Sequence, residues 1–142
     1  MNNSQPSINI IIENIIEEFE YFDDWEERYA YLIDLGRKVL PIQEKYKTDS
    51  NKLKGCQSIV YFHYEINKDK RLNLIASSDA AIVQGLIGLL LRVYDNRLPG
   101  EILNTPTDFL RKIGLEDHLS ITRKNGLSSM ISAIKSAAQK NQ

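Results

Sequence analysis

The sequence predicts a single α+β domain in which a small three-stranded antiparallel sheet packs against helices. Three observations point there. Apolar residues recur at helical spacing near both ends of the chain. The period falls from 3.6 to 2 over residues 58–66, and the alternation resumes over residues 71–76. Parallel crossovers are absent, which favours α+β over a doubly wound sheet. The 142 residues are the usual size of one domain, and no linker, repeat or low-complexity tract divides residues 1–142.

Each element has its own signal. Residues 1–7 are polar and read as a flexible lead-in. Ile8, Ile11, Ile12, Ile15, Ile16 and Phe19 form the buried stripe of a first helix, with Glu13, Asn14, Glu17 and Glu18 on its wet face. Asp24 and Glu27 resemble a capping box that opens a second helix, striped by Trp25, Tyr29, Leu32 and Ile33. Gly36 and Pro41 mark its end. Residues 42–52 are a polar loop. Val60, Phe62, Tyr64 and Ile66 then alternate with Ile59, Tyr61, His63 and Glu65, and residues 67–70 make a turn. Leu72, Leu74 and Ala76 share one face of the return strand, so the pair is a hairpin. Two strands alone are marginal, which places a third near residues 51–54. Ser77 and Ser78 are read as the cap of a long buried helix starting at Asp79, whose carboxylate suits a first turn. Gly85 and Gly88 inside that helix signal close packing. Pro99 starts a short helix, Thr105 caps another that Gly114 closes, and Thr122 caps the last, which buries Leu127, Met130, Ile131, Ile134 and Ala138.

Composition narrows the function classes. The chain is 42% hydrophobic and 26% charged with a net charge of −1, so it lacks the field of one sign that holds nucleic acid or an anionic membrane. Neither is expected as a partner. The longest apolar stretch, residues 85–91, is far short of the about 20 residues a membrane helix needs. The N-terminus lacks the basic-then-apolar order of a secretory signal. A cytoplasmic location is expected. The single cysteine cannot form an internal disulfide or a cysteine-rich metal site, so no metal is expected, in a reducing compartment.

That cysteine, Cys56, stands where the loop enters the hairpin, in Lys54-Gly55-Cys56-Gln57-Ser58. Gly55 permits backbone angles closed to other residues and clears space beside the sulfur. Position alone leaves two readings open: a reactive thiol on a loop held by a rigid sheet, and a small buried hydrophobe. A reactive thiolate needs nearby positive charge, for which Lys52, Lys54 and Arg123 are the candidates. His63 lies in a strand and His118 in a loop, and neither carries the signature of a catalytic base. The carboxylate pairs Glu17-Glu18, Asp23-Asp24 and Glu26-Glu27 read as solvated surface.

Four segments resemble one known family. Phe22-Asp23-Asp24-Trp25-Glu26-Glu27-Arg28-Tyr29 with Leu32-Ile33-Asp34-Leu35-Gly36 is similar to the start of the SufE family of sulfur acceptors. Gly55-Cys56-Gln57-Ser58 resembles its active-cysteine motif, and Ser78-Asp79-Ala80-Ala81-Ile82-Val83 with Gly85-Leu86 its next block. Leu119-Ser120 through Arg123, with Asn125-Gly126-Leu127 and Met130-Ile131, resembles its C-terminal block. The blocks keep the family's order; Tyr61 stands where the family commonly has tryptophan. The resemblance implies a SufE/NifU-like fold and a task. Cys56 takes sulfur as a persulfide from a SufS-like cysteine desulfurase, activating it, and passes the sulfur toward an iron–sulfur cluster scaffold. Pyridoxal phosphate then belongs to the desulfurase, and no cofactor is expected on this chain. Gln57 and Ser58 are implied near the sulfur, Asp79 near the cysteine loop, and Arg123 as an anchor for loop or partner. The family's resting cysteine is turned into an apolar pocket. Two rival readings remain: a stand-alone thiol enzyme using Cys56 with a histidine base, and an interaction module whose cysteine is only structural.

Overall fold

The computed structural model describes residues 5–142. Of the predicted flexible lead-in, residues 1–4 lie outside the described residues. Ser7 accepts a hydrogen bond from Ile10 N at 3.3 Å and caps the first helix. The Gln5 amide donates to Asp95 O at 3.2 Å and accepts from Asn96 Nδ2 at 3.4 Å.

The order is α1 (Ile8–Glu20), α2 (Trp25–Arg37), β1 (Val60–Ile66), β2 (Leu72–Ser78), α3 (Ala81–Tyr94), α4 (Pro99–Leu103), α5 (Asp108–Lys112), α6 (Leu115–His118) and α7 (Ile121–Lys140). Short 3₁₀ turns at Glu44–Tyr46 and Asp49–Asn51 lie between α2 and β1. α1 buries Ile8, Ile15 and Phe19 of its predicted stripe. Asp24 Oδ1 accepts from Glu27 N at 2.8 Å and starts α2.

α3 is the central helix, buried on nearly every side. It crosses α2 through glycines, as Gly85 and Gly88 suggest. A Cβ on Gly85 would stand 2.4 Å from Leu32 O, and one on Gly88 2.7 Å from Leu35 O. Gly36 belongs to the same crossing: its Cβ would meet Gly85 N at 2.7 Å. Gly36 is therefore inside α2 and packed on α3, not the stop signal predicted.

β1 and β2 pair antiparallel, with Val60 opposite Ser78 and Ile66 opposite Leu72. Asn67 Oδ1 closes the turn by accepting from Asp69 N at 2.9 Å and Arg71 N at 3.0 Å. Leu72, Leu74 and Ala76 are buried together with Val60, as the alternation requires.

The sheet of the described residues has two strands, not three. Residues 51–54 supply a single bridge, Lys52 opposite Tyr61, and one bond from Leu53 N to Val60 O at 2.8 Å. A 3₁₀ turn ends at Asn51 and Gly55 turns away at φ +85°, so the chain runs beside β1 for too few residues to build a ladder. Cross-strand pairing also carries β2 through Ser78, so Ser77 and Ser78 are strand residues. α3 begins at Ala81, and Asp79 lies in the bend before it rather than in its first turn. Thr105 does not cap a helix; its hydroxyl donates to Glu101 O at 2.7 Å. Ser120, not Thr122, caps α7 by accepting from Arg123 N at 3.3 Å.

Candidate functional site

Cys56 sits in the loop of residues 54–59, off the outer edge of β1. Three contacts pin that loop. Its base is closed by the Leu53–Val60 bond. Ser129 Oγ on α7 donates to Lys54 O at 3.2 Å. Asp79 Oδ1 accepts from Ile59 N at 3.2 Å. Gly55 is doubly constrained, since its φ of +85° is left-handed and a Cβ there would stand 3.3 Å from Ser129 Oγ.

Cys56 is half-buried and packs against the apolar core. Its sulfur faces α7, 3.8 Å from where a Gly126 Cβ would stand. Residues three apart share a helix face, so one face of α7 receives both the sulfur at Gly126 and the strap at Ser129. Both are more than 65 residues from Cys56 along the chain, and no local signal at Cys56 announces them.

The fold gathers Gly55, Cys56 and Asp79 into one loop assembly. Gln57 is exposed and Ser58 half-buried, and among the described residues neither makes a hydrogen bond to the sulfur. Arg123 is exposed in the first turn of α7. Lys52 faces Asp49 at 3.8 Å, and Lys54 is exposed. Both histidine rings are engaged elsewhere. His63 stacks on Tyr46 with centroids 4.4 Å apart and lies 3.6 Å from Glu65. His118 ends α6 and stacks on Trp25 at 4.1 Å. Among the described residues no group of three or more His, Cys, Asp or Glu could hold a metal, and no helix is long and apolar enough to cross a membrane.

One carboxylate read as surface is not. Glu18 on α1 forms a two-pronged pair with Arg92 on α3, both bonds 2.5 Å, and also accepts from the Tyr31 hydroxyl on α2. The Arg92 bonds hold the Glu18 carboxyl below its ordinary range, against the opposing effect of burial. Burial pushes the Tyr31 hydroxyl up, and Glu18 adds to it. The cluster joins three helices away from the cysteine loop.

Among known proteins, the family model described as "SufE: Fe-S metabolism associated domain" matches residues 13–138. The chain belongs to the SufE family. An uncharacterized SufE-like protein of Rhizobium meliloti is 39% identical over 132 residues, covering 90% of this chain and 94% of that one. A second, from Rhizobium etli, is 36% identical over 132 residues, covering 90% and 89%. The solution structure of a hypothetical protein from Thermus thermophilus superposes with a TM-score of 0.76 over 92% of this chain and 95% of that one. At 22% identity that likeness supports the α+β fold alone. SufE membership ties the chain to iron–sulfur metabolism.

Proposed function

We propose that this SufE protein is a sulfur acceptor that activates a cysteine desulfurase, with Cys56 as the acceptor. One observation carries the reading: the only thiol of the chain sits on a pinned loop, and both histidine rings are committed to other contacts. A hydrolytic thiol enzyme needs an adjacent base. Sulfur exchange needs only a thiolate, an electrophilic sulfur and a leaving thiolate.

The step balances without an added oxidant. The Cys56 thiolate attacks the outer sulfur of a persulfide on the desulfurase. A sulfur–sulfur bond forms at Cys56, the original one breaks, and its electron pair leaves on the desulfurase cysteine as thiolate. The desulfurase is thereby cleared for another turnover. Pyridoxal phosphate belongs to that partner, and the persulfide on Cys56 passes to a cytoplasmic iron–sulfur scaffold. The sulfur faces Gly126 at rest, so the loop must lift off α7 to meet the partner. Packing against α7 shields a persulfide from water and oxidants until then.

The test is to incubate the protein with a cysteine desulfurase and cysteine without reductant, then weigh the intact chain. The expected gain is the mass of one sulfur atom, absent in Cys56→Ser. No gain with any desulfurase from the same source overturns the proposal.

A further inference from the structure

The two outer edges of the hairpin differ. The cysteine loop borders β1, while the edge of β2 is only partly closed. Alternate residues of an antiparallel strand direct their backbone bonds to opposite sides. Leu72, Leu74, Ala76 and Ser78 therefore share the outward direction. Leu72 N donates to Arg97 O at 2.9 Å, and Leu72 O accepts from Asn96 N at 2.8 Å. Leu74 N donates to Asp95 Oδ1 at 2.7 Å, and Ser78 N to Gln84 Oε1 at 2.8 Å. Among the described residues, the C=O of Leu74 and both the N–H and C=O of Ala76 have no partner.

Leu74 and Ala76, 5% and 6% exposed, line a cleft of about 710 Å³, within the ~300–1,000 Å³ usual for binding clefts. Gly88 and Leu91 of α3 form one wall. Leu40 and Ile42, in the segment after α2, form the other. Leu40 is 85% exposed. The cleft presents little net charge: Glu18 and Arg92 neutralise each other, Asp95 is held by Leu74 N–H, and Lys38 is exposed.

We propose that this cleft binds an extended, uncharged peptide segment of a partner protein as one short added strand on β2. The residue opposite Ala76 exchanges two hydrogen bonds with it, and the residue two places along donates to Leu74 O. Asp95 and Gln84 end the ladder on either side. Alternate apolar side chains of the peptide lie on Leu91 and Leu40. The occupant is a lone strand rather than a second copy of this chain, because each copy's β2 edge is recessed between its own walls. No residue of the cysteine loop or of α7 lines the cleft, so the site operates apart from Cys56.

The test selects a phage-displayed random heptapeptide library on the full chain and measures the winners as synthetic peptides. Two variants interrogate the site. Ala76→Pro removes the outward N–H at a position where proline leaves the β1 pairing intact. Leu91→Lys puts a charge on the wall and leaves the sheet untouched. The expected result is a set of uncharged peptides with alternating apolar residues, shifting the amide resonances of residues 74–76. Each variant should bind them about tenfold more weakly, the effect of about one hydrogen bond or one lost apolar contact, with sulfur loading of Cys56 unchanged. Peptides bound equally by both variants overturn the proposal. So does no enrichment above a selection on Leu91→Lys, or a wild-type dimer that Ala76→Pro abolishes.

Discussion

Gly126 offers a one-atom probe of where the Cys56 sulfur rests. Among the described residues, leaving aside its chain neighbours and its own helix backbone, the only heavy atom within 4 Å of a Cβ placed on Gly126 is Cys56 Sγ, at 3.8 Å. That is ordinary van der Waals contact, so Gly126→Ala introduces no overlap. It removes the cost of glycine in a helix interior, about 0.5–1 kcal/mol, and should raise the melting temperature by about 2–4 °C. The methyl also covers the sulfur, so alkylation of Cys56 by iodoacetamide should slow. Gly126→Leu reverses the second effect. Its branch needs the space the sulfur occupies, so the loop must lift and lose the Ser129–Lys54 bond with its apolar contact. A loss of about 1.4 kcal/mol makes alkylation about tenfold faster. Gly85→Ala is the control. It has the same helix gain, but its Cβ would stand 2.4 Å from Leu32 O, and separating α2 from α3 should cost about 3 kcal/mol. Equal alkylation rates in wild type, Gly126→Ala and Gly126→Leu would refute the placement of the sulfur on α7.

Three further perturbations test other contacts. Asp79→Ala and Ser129→Ala each remove one pin of the cysteine loop, so amide exchange at residues 55–59 should accelerate about fivefold in either and more in the double variant; unchanged exchange would remove both from the strap. Glu18→Gln should cost about 1 kcal/mol at neutral pH, a charged bond discounted because Glu18 is 33% exposed. Arg92 holds the Glu18 carboxyl below its ordinary 4.5 in the folded chain, so its stabilisation is complete above that pH and fades as pH falls through the folded value. Melting curves of wild type and Glu18→Gln should therefore converge in acid, and a constant gap down to about pH 2 would contradict this. Arg97 is 2% exposed, and among the described residues its Nε and Nη2 have no hydrogen-bond partner. Arg97→Met should be neutral or stabilising by about 1–2 kcal/mol in urea unfolding, and a loss above about 1 kcal/mol would show the guanidinium to be paired.

Local chemistry made the hairpin, the Asp24 cap and the close-packing glycines of α3 legible, because each depends on residues within a turn or two. Readings failed where a distant segment decided the outcome. Ser77 and Ser78 have cap chemistry, yet β1 lies opposite and draws them into the strand. Gly36 looks like a terminator until α3 is laid across it. A third strand is expected at residues 51–54 because two strands alone are marginal, but the left-handed Gly55 cuts the pairing short. Glu18 and Arg92 are 74 positions apart, so neither predicts the other. The cysteine motif singled out Cys56, whereas its resting place against Gly126 and Ser129 emerges only when α7 folds back.

The strength of the strap bears on whether one loop can both shelter and deliver sulfur, as the proposed function asks of it. Lifting Cys56 leaves the Leu53–Val60 closure in place. It breaks the bonds of Ser129 and Asp79, each about 1 kcal/mol net, and exposes the face of a half-buried thiol for about 1 kcal/mol more. The sum, about 3 kcal/mol, sets the open form of the free protein near 1%. That is low enough to hide a persulfide between encounters. It is also small beside the about 8 kcal/mol of a micromolar complex, so the desulfurase of the proposed function could open the loop from its own binding energy. A strap of buried salt bridges would lock the thiol away, and a loop with no strap would leave it exposed. Two single hydrogen bonds over a glycine fall between these limits, which is what the proposed carrier role requires.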